Sequence, residues 1–240
     1  MITPSVFSPQ EVEYFDKELH NSHKFYVPKK GKKTRQLFDL GGKNSNFVLY
    51  NHALKYLNKK INAVDVGCRD GEFARYLTWG FNHVYCFDYR HRPYFAGNID
   101  LQKVTHYTVA LGSEVSKEYG SGRNNFRNPV YDGPYRKAQI NDETQDTILP
   151  LDYFKLQDIN LIKVDVDGME EEVLKGATQT IEQCRPVFII EELIMDTGRL
   201  NHQGIKFLKA LGYEEVFKIE KRISKIDPKQ IHTDYIFVRK

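Results

Sequence analysis

The sequence has few cysteines, and their spacing does not suit a metal site. Its three cysteines are Cys68, Cys86 and Cys184, and no C-x-x-C pair occurs. A small, odd number without paired spacing argues against a disulfide framework and against a zinc knuckle. Free thiols are typical of a reducing compartment, so we expect a cytoplasmic protein.

Long apolar runs are also missing. No stretch approaches the roughly 18 residues that a membrane-spanning helix requires. The first residues, M-I-T-P-S-V-F-S-P-Q-E-V-E, lack the basic start and apolar centre of a signal peptide. Since 40% of the residues are apolar and 28% are charged, we expect a soluble globular protein without a membrane span.

A strong excess of either charge is absent as well. The net charge is +3, which by itself favours no class of partner. Residues 24–35 (K-F-Y-V-P-K-K-G-K-K-T-R) nevertheless hold six basic residues and no acid. This stretch is either a solvated arm or a contact for an anionic partner such as nucleic acid.

Apolar and amphipathic segments alternate from residue 61 onward, which predicts alternating strands and helices. The predicted strands are residues 63–66, 83–88, 104–111, 161–166, 186–191, 215–220 and 235–239. The predicted helices are residues 9–22, 46–59, 72–80, 169–184 and 202–211. Most central strands are continuous apolar runs, as in parallel sheets buried on both faces. We predict an N-terminal helical and basic extension over residues 1–60 and one doubly wound α/β domain over residues 61–240.

The first strand of this domain ends in V-D-V-G-C-R-D-G, residues 64–71. Gly67 and Gly71 flank a tight turn, and glycine allows positive φ and close approach of a ligand. The G-x-x-x-G spacing differs from the G-x-G-x-x-G of dinucleotide sites, and a Walker lysine is absent, so NAD is disfavoured. Asp88 ends the second strand, where an acid can accept hydrogen bonds from ribose hydroxyls. The turn and the acid together indicate a nucleoside site, whereas the turn alone could be an ordinary connection.

Carboxylates follow the fourth and fifth strands of the domain. Asp165 and Asp167 stand two residues apart, so in an extended chain they share one face. Glu170 begins the next helix, and the fifth strand ends in Glu191 and Glu192. Crowded acids repel one another, so the cluster requires a cation, a proton or a hydrogen-bonded ligand. Lys163 could neutralise one of them.

Several of these segments resemble the FkbM family of class I methyltransferases over residues 60–195. The glycine turn A-V-D-V-G-C-R-D-G-E-F-A is similar to the cofactor loop of the family, and T-V-A-L-G (residues 108–112) to its third-strand motif. The most specific stretches are I-L-P-L-D-Y-F, I-N-L-I-K-V-D-V-D-G-M-E-E-E-V-L-K-G-A and R-P-V-F-I-I-E-E. The sequence departs from the family at Asp167 and Asp88, where glutamate is common.

The resemblance implies a Rossmann-like fold, with a seven-stranded, mostly parallel sheet, helices on both faces and an antiparallel last strand. It implies S-adenosylmethionine as the methyl donor and a hydroxyl of a sugar, glycan or related scaffold as the acceptor. The cofactor site is then expected to comprise Asp65, Gly67, Arg69, Gly71, Asp88 and Ala110.

Methyl transfer to a hydroxyl needs alignment and a base. The candidate bases are Asp165 and Asp167, with His106 behind them. A magnesium or calcium ion held by Asp165, Glu191 and Glu192 is an alternative way to acidify the hydroxyl.

Residues 118–145 form a long Gly-, Asn-, Tyr- and Arg-rich segment, which is either a binding loop or a surface excursion. The candidate substrate contacts are Tyr119, Arg123, Arg127 and Tyr135, with Glu170 from the helix after the fourth strand.

Three rival interpretations remain at this point. The basic stretch and the arginine-rich loop could serve an RNA or nucleotide methyltransferase, whose affinity for RNA would fall with salt. The fold could also serve as a non-catalytic binding module, or, less well supported by the glycine spacing, as an NAD-dependent enzyme. Residues 1–60 are expected to cap the site or to mediate a homodimer.

Overall fold

The computed structural model describes residues 9–16, 21–28, 45–89, 95–115, 148–166, 168–194, 203–222 and 231–240. The strands are β1 (Pro9–Asp16), β2 (Asn21–Pro28), β3 (Asn62–Val66), β4 (His83–Asp88), β5 (Val104–Thr108), β6 (Ala110–Leu111), β7 (Ile148–Leu149), β8 (Ile159–Val164), β9 (Val187–Ile194), β10 (Glu214–Arg222) and β11 (Ile231–Val238). The α-helices are α1 (Ser45–Leu54), α2 (Ala74–Gly80), α3 (Phe95–Asn98), α4 (Glu170–Lys175), α5 (Thr178–Cys184) and α6 (Gln203–Ala210). No helix among these residues is long and apolar enough to cross a membrane.

Seven strands form the central sheet in the order β10-β11-β9-β8-β3-β4-β5. The pairs from β9 through β8, β3 and β4 to β5 are parallel, and β11 is antiparallel to both β9 and β10. The predicted doubly wound α/β sheet with an antiparallel last strand is therefore confirmed. Chain order reverses between β3 and β8, and ligands of such sheets bind at this switch point.

Both faces of the sheet are covered by helices, as continuous apolar strands require. Ala63 and Leu161 face a core beneath α1, α2 and α3, whereas their neighbours Val64 and Ile162 face a second core beneath α4, α5 and α6. Side chains of consecutive strand residues point to opposite faces, so a strand buried on both sides reads as an unbroken apolar run.

The N-terminal segment differs from the prediction. Residues 9–22 were expected to be a helix, but β1 and β2 form an antiparallel pair in which Pro9 lies opposite Pro28 and Asp16 opposite Asn21. The sequence E-V-E-Y-F in β1 alternates polar and apolar residues in part, and H-K-F-Y-V in β2 is rich in strand-forming residues. Cross-strand pairing therefore outweighs the helical signal of Pro9.

Two other elements are shorter than predicted. The strand expected over residues 104–111 is divided, because β6 leaves the central sheet and pairs with β7. The helix expected over residues 169–184 is interrupted at Gly176, where a Cβ would overlap the carbonyl oxygen of Gly112. The glycine lets the break between α4 and α5 pack directly on the backbone after β6.

Asp152, the aspartate of the motif I-L-P-L-D-Y-F, caps a helix. Asp152 accepts hydrogen bonds from the backbone N–H groups of Gln179 and Thr180, both at 2.8 Å, and from the Thr180 hydroxyl at 2.7 Å. The residue before α5 is Ala177, which has no side-chain acceptor, so Asp152 supplies the cap from a distant part of the chain.

Replacing Asp152 with alanine is expected to lower the free energy of unfolding by about 2 kcal/mol, because capping donors lose their acceptor. Urea unfolding monitored by circular dichroism measures the change. Glu214→Ala, which removes an exposed ion pair with Lys240, is the control and should change stability by less than about 0.5 kcal/mol. Equal effects of the two substitutions would contradict the capping role.

Candidate active site at the carboxyl ends of the parallel strands

The turn after β3 places unusual backbone conformations next to the switch point. Gly67 has a φ of 81°, Arg69 of 47° and Gly71 of 89°. A Cβ on Gly67 would overlap the carbonyl oxygen of Asp165, so β8 approaches the turn at this position. Asp165 also donates its backbone N–H to the Val66 carbonyl at 3.1 Å, which extends the β3–β8 pairing into the site. We call residues 67–71 the glycine loop.

Backbone hydrogen bonds tie the glycine loop to β4. The N–H groups of Gly67 and Cys68 both donate to the carbonyl of Phe87, at 2.8 and 3.1 Å. The Arg69 N–H donates to Asp88 Oδ2 at 3.0 Å. The loop and the acid that the sequence singled out are therefore in direct contact, and this bond orients the Asp88 carboxylate.

A second support comes from α3, which sequence reasoning missed. The Asn98 side-chain amide donates to the Asp70 carbonyl at 2.8 Å, and a Cβ on Gly71 would come within 2.9 Å of Ile99. Both Asp70 and Asn98 are buried. The segment after β4 thus packs against the outer side of the glycine loop. The sequence signal was weak because α3 is only four residues long.

One buried lysine links the acids of β3 and β8. Lys163 Nζ lies 3.0 Å from Asp165 Oδ2 and 3.6 Å from Asp65 Oδ1. Burial raises the pKa of Asp65 to about 6, although Lys163 opposes the rise. Burial alone would lower the pKa of Lys163, but Asp165 and Asp65 outweigh it and hold that pKa above its usual value.

Other predicted residues lie elsewhere. His106 belongs to β5, at the edge of the sheet three strands from β8, which corresponds to about 14 Å at the usual strand spacing. Its ring is buried and stacks on Phe95 with centroids 4.5 Å apart, so the structure does not bring it to Asp165. Ala110 follows β5 at the same end of the sheet as the glycine loop. Asp167, Tyr119, Arg123, Arg127 and Tyr135 lie outside the described residues.

Glu170 supports the turn after β8. Its Oε1 accepts hydrogen bonds from the N–H groups of Val166 and Gly168, both at 3.1 Å. Burial raises the pKa of Glu170, although these hydrogen bonds oppose the rise. Glu170 therefore closes the connection between β8 and α4, and its contact with a substrate stays a prediction.

The predicted metal ligands are not arranged as a metal site. Glu191 and Glu192 are consecutive in β9, so their side chains point to opposite faces of the sheet. Glu192 Oε1 accepts the backbone N–H of Ile205 in the first turn of α6, at 3.0 Å. Within the described ranges, no group of three His, Cys, Asp or Glu side chains could hold a metal ion. The expectation of a cation held by Asp165, Glu191 and Glu192 is therefore not supported.

The arrangement fits the adenosyl group of S-adenosylmethionine. Asp88 is held against the glycine loop at the end of the second parallel strand, where an acid binds ribose hydroxyls. Asp165 places a partly exposed carboxylate at the end of β8, whereas Asp65 is fully buried beside Lys163. Seven strands in this order, with an antiparallel last strand, form the Rossmann-like sheet of the class I methyltransferase fold.

Comparison with protein families identifies the group within that class. The family model described as the methyltransferase FkbM domain matches residues 19–215, which is most of the chain. The chain therefore belongs to the FkbM methyltransferase family. No curated protein matches it.

Solved structures are similar in fold at low sequence identity. An FkbM methyltransferase from Methylobacillus flagellatus is 16% identical, with a TM-score of 0.46 over 73% of this chain and 43% of that one. A candidate transferase from Pyrococcus horikoshii is 10% identical, with a TM-score of 0.51 over 96% of this chain and 72% of that one. This chain thus spans less than half of the Methylobacillus protein. At 10% identity, the similarity to the Pyrococcus protein establishes the fold alone.

Proposed function

We propose that the chain transfers a methyl group from S-adenosylmethionine to a hydroxyl of a sugar, a glycan or a related small molecule. The observation that carries the proposal is the 3.0 Å hydrogen bond from Arg69 N–H to Asp88, which joins the glycine loop to the acid of the second strand. S-adenosylmethionine, when bound, supplies an activated methyl group, so the protein mainly aligns the acceptor.

The chain's own residues have three tasks in this proposal. The glycine loop and Asp88 hold the adenosyl group, with Asp65 and Ala110 at the neighbouring strand ends. Asp165 lies directly beside Gly67 and its side chain is 20% exposed, so it can reach an acceptor above β8. A hydroxyl is a poor nucleophile until its proton is removed, and Asp165 or Asp167 is proposed to accept that proton.

The hydroxyl acceptor is supported by the carboxylates at the end of β8 and by the family resemblance. We expect methyl transfer from labelled S-adenosylmethionine to at least one member of a panel of sugars and glycans, detected as one added methyl group by mass spectrometry. Asp165→Asn and Asp167→Ala should each lower kcat roughly 30-fold while cofactor affinity changes less than about threefold, because the other carboxylate retains part of the proton transfer.

The same panel should include nucleotides and RNA. Methylation confined to RNA, with binding that weakens steeply as salt is raised, would replace the proposal with the nucleic-acid alternative. Binding of S-adenosylmethionine without any transfer across the panel would favour a binding module.

A further inference from the structure

Lys163 is a buried cation in the middle of the sheet. It lies opposite Asp65 of β3 in the strand register, and its side chain is only 6% exposed. Its ammonium contacts the Asp165 carboxylate at 3.0 Å and the Asp65 carboxylate at 3.6 Å, and lies 5.6 Å from the centre of the Phe73 ring. A single ammonium thus joins acids from two adjacent strands.

The backbone of Asp165 is already fixed by other contacts. Its N–H donates to Val66, and its carbonyl lies against Gly67. The direction of its side chain is a separate variable, and Lys163 Nζ donates a hydrogen bond to its Oδ2 atom. Of the three charged groups, Asp165 is the most exposed, at 20%, against 6% for Lys163 and 0% for Asp65. Asp165 is therefore the member of this group that can meet an acceptor.

Without the ammonium, this arrangement would lose its main support. Ionised carboxylates in a buried setting cost several kcal/mol unless they are paired. Lys163 is anchored by Asp65 and Phe73 on its other side, which leaves it little freedom to follow Asp165 elsewhere. Removing the charge should let the Asp165 carboxylate protonate or turn towards solvent.

We propose that Lys163 is a positioning residue for methyl transfer, holding the Asp165 carboxylate beside the glycine loop and acting on the reaction through that carboxylate. This inference rests on the proposed function, in which Asp165 serves the acceptor. It assigns a role to the lysine of the K-V-D-V-D-G motif that sequence reasoning left as charge neutralisation.

The kinetic test is a double-mutant cycle on the full chain, with the acceptor found in the panel. Lys163→Met should lower kcat roughly tenfold, because a misplaced catalytic group is ineffective even when present. Lys163→Arg should keep a higher kcat than Lys163→Met, since it keeps the charge although its planar group is larger. In an Asp165→Asn background, Lys163→Met should cost less than about twofold, because coupled residues are not additive.

Lys175→Met is the matched control. Lys175 also contacts two carboxylates, Glu171 at 3.0 Å and Glu172 at 2.9 Å, but it lies exposed on α4. Its removal should leave kcat unchanged. Additive losses in the cycle would overturn the positioning role. If Lys163→Met does not fold, Lys163→Gln replaces it, and wild-type kcat in that variant would equally overturn the role.

A crystallographic arm needs no acceptor. In crystals of Lys163→Met or Lys163→Gln grown with S-adenosylhomocysteine, the Asp165 carboxylate should rotate away from its position in the wild-type protein, and in Lys163→Arg it should stay. An unmoved carboxylate in the neutral variants would refute the inference. Absence of methylation by the wild-type protein would refute only the proposed function, because the crystals still decide whether Lys163 positions Asp165.

Discussion

Gly67→Ala is expected to abolish binding of S-adenosylmethionine, with an affinity loss of at least about 1,000-fold or failure to fold. Two costs combine at this position. A φ of 81° is unfavourable for alanine by roughly 1–2 kcal/mol, and the added Cβ would overlap the backbone carbonyl of Asp165. That carbonyl follows β8, a central strand paired on both sides, so it cannot retract without disturbing the sheet. Isothermal titration calorimetry measures the affinity, and circular dichroism reports folding.

Gly212→Ala separates the two costs. Gly212 has almost the same φ, 82°, but a Cβ there would meet only the Arg239 side chain, at 3.9 Å. This control should lose about 1 kcal/mol of stability and bind the cofactor normally. If Gly67→Ala binds S-adenosylmethionine as well as Gly212→Ala does, the close approach between the glycine loop and β8 is not required for binding.

Asp88→Ala is expected to weaken binding of S-adenosylmethionine about 100-fold, because hydrogen bonds to charged groups contribute roughly 1.5–3 kcal/mol each. The substitution removes the acceptor of the Arg69 N–H and the proposed acceptor of the ribose hydroxyls. Affinity for S-adenosylhomocysteine should fall by a similar factor, since both ligands carry the same ribose. Asp88→Glu should retain binding within about fivefold, because a carboxylate remains.

Asp100→Ala is the matched control for Asp88. Asp100 also accepts a backbone N–H, that of Gln102 at 3.1 Å, but it does so at an exposed turn beyond α3. It should bind both ligands like the wild-type protein. A loss of affinity for only one of the two ligands in Asp88→Ala would mean that Asp88 does not act on the ribose.

The central sheet was predictable because strands buried on both faces appear in the sequence as unbroken apolar runs. The strand at residues 83–88 was predicted with the bounds that the structure shows, and the other predicted strands of the central sheet were located within a few residues, apart from residues 104–111. Elements that depend on pairing between residues far apart in the sequence were harder to predict. The β1–β2 pair in place of a helix and the division of residues 104–111 both depend on partners that periodicity does not reveal.

The parts of the candidate site formed by the ends of neighbouring strands were predictable from the sequence. The hydrogen-bond partners of individual side chains were less predictable. The glycine loop and Asp88 were placed together correctly by the rule for parallel sheets. Glu192 and Glu170 looked like ligands in the sequence, yet each bonds to backbone N–H groups. The metal prediction is not supported because Glu191 and Glu192 are adjacent in a strand, and adjacent strand residues lie on opposite faces of the sheet.

The hydrogen bonding of the glycine loop affects which adenosine compounds it can bind. Four of its five amide hydrogens are committed inside the protein: those of Gly67, Cys68, Arg69 and Gly71. Loops that cradle diphosphates leave such hydrogens pointing outward, and basic side chains often assist them. At the adjoining strand ends, the Lys163 ammonium is already paired with Asp65 and Asp165. ATP and NAD share the adenosyl moiety with the methyl donor, but a loop whose amide hydrogens are used inside the protein offers few donors to the phosphate groups of either compound.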